Sequence, residues 1–347
     1  MTTEEFQELI PGFPDEVAVE CLARCHYSSH HHASAVSCGW RHLFRSPDFH
    51  RLRQQSGRTR LAVCLVQAVN DSGSGAKMAH PPGPPAFALT VFDPTTRTWE
   101  RVDSLPNYPD RLPLFCHITS WEGKLILMGG WDPDSYNPVT DVFIYDFRAQ
   151  QWARGRDMPS RRSLFAIGSV DGWVVIAGGH DESKNALDSA WAYKVDSNEW
   201  VELARMAEPR DECHGLVVGP ELWVVSGYET GSQGGFKKSA DVLDTRTGRW
   251  RSVEDAWDTC QSPRACVGVG KGGRLFNWAR SGPEVRVETC AVEMGDRALV
   301  SGSERYGAPF GFYMAERRPD GEYGEMKRMD VPDQFKGFVQ SACCVEL

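Results

Sequence analysis

The chain lacks several things that would have settled its class at once. No stretch approaches the ~20 consecutive apolar residues that a membrane span needs. The opening MTTEEFQELIPGF is acidic and has no long apolar run, so it does not read as a secretory signal. Positive charge is not in excess. Against 47 Asp and Glu stand 38 Lys and Arg, a formal net charge of −9 that argues against a general affinity for nucleic acid or anionic membrane. None of the 11 cysteines belongs to a metal-like CxxC pair. In a chain without a secretory signal they read as reduced, mostly buried thiols, which points to the cytoplasm or nucleus. Asn70-Asp71-Ser72 is a formal glycosylation acceptor that such a chain would not use.

Catalytic patterns are equally scarce. No serine elbow, HExxH or spaced carboxylate pair occurs, and no catalytic residue, metal or cofactor is expected. Gly268-Val269-Gly270-Lys271-Gly272-Gly273 satisfies GxGxxG formally. A strand pattern follows it rather than a helix, so no helix N-terminus awaits a phosphate. His30, His31 and His32 beside Cys25 and His26 have no second ligand cluster and read as a solvated loop. Cys343-Cys344 falls on a strand pattern, where neighbouring side chains face opposite ways and burial is the simpler reading.

What the chain does have is a repeat. Ile126 to Trp152 carries an apolar run ending in Gly129-Gly130, then a polar loop, then Tyr145 seven residues before Trp152. Gly178-Gly179, Tyr193 and Trp200 restate the pattern, and Ser226-Gly227, Leu243 and Trp250 restate it with substitutions. Phe92 and Trp99 hold the same gap upstream. The tryptophans lie 53, 48 and 50 residues apart. A period near fifty built of short strands marks a mainly β propeller rather than a helical solenoid. These tryptophans read as wedges between blades.

Six blades are expected, the fifth, after Arg264, being poorly marked, with five as the competing count if the two degenerate units share one blade. The first blade shows only three strands (near 61–69, 86–92 and 98–102), and the tail Phe338 to Leu347 is expected to supply its inner strand and close the ring. Residues 70–85 read as a mobile low-complexity loop. The division predicted is 1–56 for a small helical module and 57–347 for the propeller.

The first fifty residues follow another logic. Leu9-Ile10-Pro11-Gly12-Phe13-Pro14-Asp15 is an extended entry to a helix with Val17, Cys21, Leu22 and Cys25 at helical spacing. A second helix is expected through HASAVSCGWRHLFRS, and a third from Ser46 to about Gln55. With SAVSCGWRHLFRSPDFHRLR downstream, the segment resembles an F-box. In that family the leucine–proline entry and first helix insert into the SKP-type adaptor of a cullin–RING ubiquitin ligase. The resemblance therefore implies an adaptor-binding set of Leu9, Pro11, Phe13, Pro14 and Val17, with Trp40 as the aromatic packed between helices. The glycine–tyrosine–tryptophan skeleton in turn resembles kelch repeats, and together the two are similar to the plant-type F-box/kelch-repeat proteins. That resemblance implies a non-catalytic substrate receptor that presents a protein target for ubiquitylation and proteasomal degradation. Relatives act on phenylalanine ammonia-lyase or on hormone response regulators.

Arg111, Arg162, Arg210 and Arg264 precede successive innermost strands, 51, 48 and 54 residues apart, with Arg161 as a fifth. Equivalent positions in a ring converge at one mouth of the channel, where guanidinium groups favour an acidic or phosphorylated partner. The alternative is that each arginine braces its neighbouring blade. Loops after the glycines add Trp131, Asp132 and Tyr136, His180 and Asp181, and Tyr228 and Glu229, aromatics beside charges that suit target contact. The rival to the receptor reading is a propeller enzyme or small-ligand sensor whose helical start is only a packing element.

Overall fold

The computed structural model describes residues 8–69, 85–258 and 261–347. The Asn70 acceptor and nearly all of the low-complexity loop lie outside the described residues.

The helical module opens with α1 (Asp15–Ala23), whose first-turn acids Asp15 and Glu16 complement the helix dipole. A four-residue α2 (His30–Ala33) follows, then α3 (Cys38–Arg45) and α4 (Pro47–Gln55). The expected second helix is therefore broken. The Ser37 side chain caps α3 by accepting from Trp40 N, and Val36 just before it is exposed. The histidine run is not a solvated loop either. It forms α2, and His30 is buried against Phe44, with ring centroids 4.6 Å apart. Ser46 caps α4, with Pro47 in its first turn. The module's own core is small: Leu22, Ala23, Phe44 and Phe49, with Ile10, Val19, Ala33, Trp40 and Leu43 around them.

From Leu61 onward the described residues form six antiparallel sheets. Blade 1 takes Leu61–Ala68, Phe87–Asp93 and Thr98–Arg101 from the start, and its innermost strand, Val339–Glu346, from the tail. Cys64 stands opposite Cys343 in that closing pair. Blades 2, 3 and 4 are regular four-stranded units whose innermost strands are His117–Trp121, Ala166–Val170 and His214–Val218.

Among the described residues the fifth unit has two strands only, Val267–Val269 and Leu275–Asn277. Where outer strands would follow there is a 3-10 turn, Pro283–Val285. It leads into the sixth inner strand, Val287–Met294. Buried Trp257, Trp278 and Val285 occupy the core beside the fifth and sixth units. The sixth blade adds Arg297–Ser303, Gly311–Glu316 and Lys327–Arg328. All six innermost strands line one central channel with a cavity of about 360 Å³.

The seven-residue gap is a cross-strand pair. Phe92 faces Trp99, Tyr145 faces Trp152, Tyr193 faces Trp200 and Leu243 faces Trp250 across the two outer strands of their blades. Such directly opposed side chains are a main source of sheet stability. Three of the tryptophans also reach backwards. The indole N–H of Trp152 donates to Asp103 O at 2.9 Å, that of Trp200 to Arg156 O at 2.9 Å, and that of Trp250 to Ala204 O at 2.7 Å. Each acceptor lies on the segment leaving the preceding blade, so each indole ties two blades together.

The helical module packs on one face of the ring. Tyr27 OH donates to Asp93 Oδ2 at 3.3 Å, the Gln54 amide to Glu346 Oε2 at 2.8 Å, and Arg60 and Leu347 exchange backbone hydrogen bonds at 2.8 Å. His50 lies against Gly123. Arg53, 3% exposed, donates to the carbonyls of Ala23, Cys25 and Arg58 and so holds the linker to the helices. Arg58 and Arg24 hold the Glu20 carboxyl down to about 2.

Candidate functional site

Antiparallel strands alternate direction, so the turns touching the helices and the loops after the glycine pairs lie on opposite faces of the ring. Asp93 and Gly123 belong to the first set of turns. Trp131, His180 and Tyr228 belong to the second.

Their positions come from one repeated turn. Phe115, Leu164, Glu212 and Ala265 each enter an innermost strand with φ of 50° to 56°, the left-handed region. The residue before each of the first three pairs with the residue after a glycine pair. Leu114 and Trp131 exchange hydrogen bonds at 2.9 and 2.7 Å, Ser163 and His180 at 3.2 and 3.0 Å, and Asp211 and Tyr228 at 2.8 and 3.0 Å. Trp131, His180 and Tyr228 are thus equivalent residues of blades 2, 3 and 4.

They form a connected rim. Trp131 is half-buried in it, while His180 at 2% and Tyr228 at 6% exposure are buried and support the rim rather than offer the open contact expected of them. Lys184 Nζ lies 3.5 Å from the centre of the Trp131 ring, and Phe115 packs edge-on to that ring at 5.2 Å. Lys184 Nζ also donates to His180 Nε2 at 3.3 Å. An ammonium can only donate, so His180 carries its proton on Nδ1 and gives it to Asp211 Oδ1 at 2.8 Å. Tyr228 OH donates to Glu212 Oε1 at 3.0 Å, and burial beside Asp211 and Glu212 raises its pKa.

The arginines divide along the same register, and the division corrects the picture of a shared basic mouth. Measured from the left-handed residues, Arg162 and Arg210 are equivalent, but Arg111 stands two positions early and Arg264 one position late. Arg162 and Arg210 are each 1% exposed and brace the ring. Arg162 donates to Gly178 O, Ser189 O and the Ser160 and Ser189 hydroxyls. Arg210 donates to Asp241, Ser226 O, Ser239 O and the Ser239 hydroxyl. Arg111 pairs with Asp134 on the surface, and Arg161 with Glu182 at 3.5 Å. Of the five, only Arg264 lines the channel. A shift of one residue moves a side chain to the other side of an extended backbone, which is why near-equal spacing did not give equal placement.

The other candidate surface is on the helical module. Pro11, Phe13, Pro14 and Val17 are exposed, with Phe13 at 50% and Val17 at 42%, while Leu9 is half-buried and its carbonyl accepts from the Trp40 indole. Val36 and Leu52 add exposed apolar area. Among the described residues no cluster of three or more His, Cys, Asp or Glu could hold a metal ion.

Residues 10–52 match the F-box domain model, and residues 80–276 match the model of the KLHDC2/KLHL20/DRC7 Kelch-repeats domain. Two Arabidopsis thaliana proteins, the F-box/kelch-repeat proteins At2g44130 and SKIP20, are each 37% identical, over 73% and 72% of this chain and 67% of either relative. A third from the same plant, At1g15670, is 30% identical over 98% of this chain and 100% of its own length. The chain belongs to the F-box/kelch-repeat family. An F-box in general binds SKP-type adaptors and a kelch propeller in general binds protein targets, so the family carries a substrate-receptor role. In this F-box/kelch-repeat protein the helical module and the loops carrying Trp131, His180 and Tyr228 lie on opposite faces of the ring.

Proposed function

We propose that this F-box/kelch-repeat protein is the substrate-recognition subunit of an SCF-type ubiquitin ligase in the cytoplasm or nucleus. The F-box binds the SKP-type adaptor and, through it, cullin and RING protein. The propeller rim holds a protein target for ubiquitylation and proteasomal degradation, with phenylalanine ammonia-lyase or a hormone response regulator as target classes. The chain makes and breaks no bond itself and acts by raising the target's effective concentration near the transferring enzyme.

One observation carries this reading. Phe13 and Val17 stay exposed on the helical module while Tyr27, His50 and Gln54 dock it to the ring, on the face opposite Trp131, His180 and Tyr228. An apolar edge left open after the module has found its intramolecular partner suits a further protein. Leu9, Pro11 and Pro14 complete the adaptor-binding set, and Arg111, Arg161 and Arg264 with the rim residues form the target-binding set. Buried Arg162 and Arg210 contribute to the latter by holding its blades.

The test is capture by a purified plant SKP-type adaptor. The native chain should form a 1:1 complex, and Phe13→Asp with Val17→Asp should abolish it while leaving the propeller's melting temperature unchanged. Undiminished capture by the double variant removes the adaptor assignment. Trp131→Ala with Tyr228→Ala should keep the adaptor and lose targets recovered under proteasome inhibition.

A further inference from the structure

Arg264 is the one guanidinium of the five singled out above that makes no hydrogen bond or ion pair among the described residues. It is half-buried, with its carbon centre 4.9 Å from the middle of the Phe115 ring. Arg264 belongs to the fifth unit and Phe115 to blade 2, so in a ring of six the side chain leans across the channel. Glu212, Asp211 and Tyr228 act on it only through space, and burial lowers its pKa. An unpaired cation partly withdrawn from water is costly unless something meets it.

Other polar groups in the same place also lack partners. His117 Nε2, on the channel wall, is buried without one. Burial, and then the Arg264 charge, holds His117 down to about 3 and His214 down to about 4, so both imidazoles are neutral near pH 7. His214 Nδ1 accepts from Ala265 N at 3.3 Å, which puts its proton on Nε2 as a free donor. Below the mouth Ile167, Leu216, Val267 and Ala291 contribute apolar wall to a cavity of about 360 Å³, which Ser120, Ser169 and Glu293 line as well. That is the size and lining of a small-ligand site.

We infer that the channel mouth takes a carboxylate, its anionic head on Arg264 and its apolar body in the chamber beneath. The carboxylate belongs either to a free organic acid or to an acidic side chain of the target, and only the second source rests on the receptor reading. Guanidinium–carboxylate pairing supplies the charge-assisted bonds that Arg264 lacks. The neutral imidazole N–H of His214 adds a donor without adding a second cation.

The probes are benzoate against benzamide, and a blocked Ala-Glu-Ala tripeptide against its glutamine counterpart, titrated into the full chain by calorimetry. At least one carboxylate should bind, with its neutral counterpart weaker by about tenfold, as expected for a lost charged hydrogen bond. Binding of benzoate assigns a free acid, and binding of the peptide alone assigns a target side chain. Arg264→Gln should erase the preference for the anion, and Arg264→Lys should keep part of it. Equal binding of acid and amide, an unchanged preference in Arg264→Gln, or no binding of either carboxylate overturns the inference. The acid–amide comparison on the native chain decides it even if the variants fold poorly. Adaptor capture should be unaffected by Arg264→Gln, so a failure here leaves the F-box assignment untouched.

Discussion

Arg210 Nε and Asp241 Oδ2 meet at 2.8 Å with each side chain 1% exposed, an ion pair closed inside the ring. Asp241 lies in the third strand of blade 4, and Arg210 on the segment entering that blade. The guanidinium also takes up the carbonyls of Ser226 and Ser239. It thereby ties the entry segment to the loop behind Tyr228.

Breaking that pair from one side should be severe. Asp241→Ala leaves a buried cation without its counter-charge, a loss of about 3–5 kcal/mol. The paired change Arg210→Met with Asp241→Leu should recover only part, because two carbonyls lose their donor. Urea midpoints measure both. A loss under about 1 kcal/mol in the single variant would mean that the pair is dispensable.

The glycine pairs make a second prediction. Gly178 has φ +69°, and an added Cβ would stand 2.6 Å from Arg210 O and 3.0 Å from Cys213 Sγ. Gly231 has φ +87° with nothing within 4 Å. Gly231→Ala should cost only the backbone strain, about 1 kcal/mol, and Gly178→Ala clearly more. Equal thermal shifts would disprove the packing argument. Ser226 holds the equivalent position with φ 60°, and its hydroxyl donates to Lys237 O at 2.6 Å. Ser226→Gly therefore removes strain and a hydrogen bond together, and a change near zero is expected.

Loss of the tail should be global. Deleting residues 339–347 strips blade 1 of its inner strand and leaves Leu61–Ala68 as an unpaired apolar edge. The shortened chain should aggregate on refolding and lose its cooperative melt. A monomer with a native-like transition would show that closure by the tail is unnecessary.

Acid should loosen the helical module first through His30. Burial, then the charge of Arg53, lowers its pKa to about 4, against hydrogen bonding to Cys25 O. His26 and Arg148 act in the same direction as Arg53. The unfolded chain therefore binds a proton between about pH 6.5 and 4 that the native state refuses. Stability from this group is complete above that window and falls as pH drops through it. His30→Gln should flatten the fall in urea midpoint between pH 7 and 4.5, and an unaltered slope would assign it elsewhere.

Much of this architecture is readable along the chain because its signals are local. The tryptophan seven residues after an aromatic is a hairpin pair, and glycine pairs mark backbone that a side chain would obstruct. Leu-x-Pro before an acidic helix start survives as an exposed edge. Closure of blade 1 by the tail was legible too, since three strand patterns stood where a blade needs four.

What the sequence by itself determined, then, is the list of parts: a helical module, repeating four-stranded units, and a rim of Trp131, His180 and Tyr228 at equivalent positions. Only the tertiary structure decided which side of the backbone each arginine faces. A displacement of one or two residues is invisible in a period that itself varies from 48 to 53, yet it sends Arg162 and Arg210 into the wall and Arg264 into the channel. The broken second helix and the two-stranded fifth unit were settled the same way. Side-chain capping at Ser37, and the placing of Trp278 and Val285 in the core, depend on neighbours far away in sequence that no local pattern records.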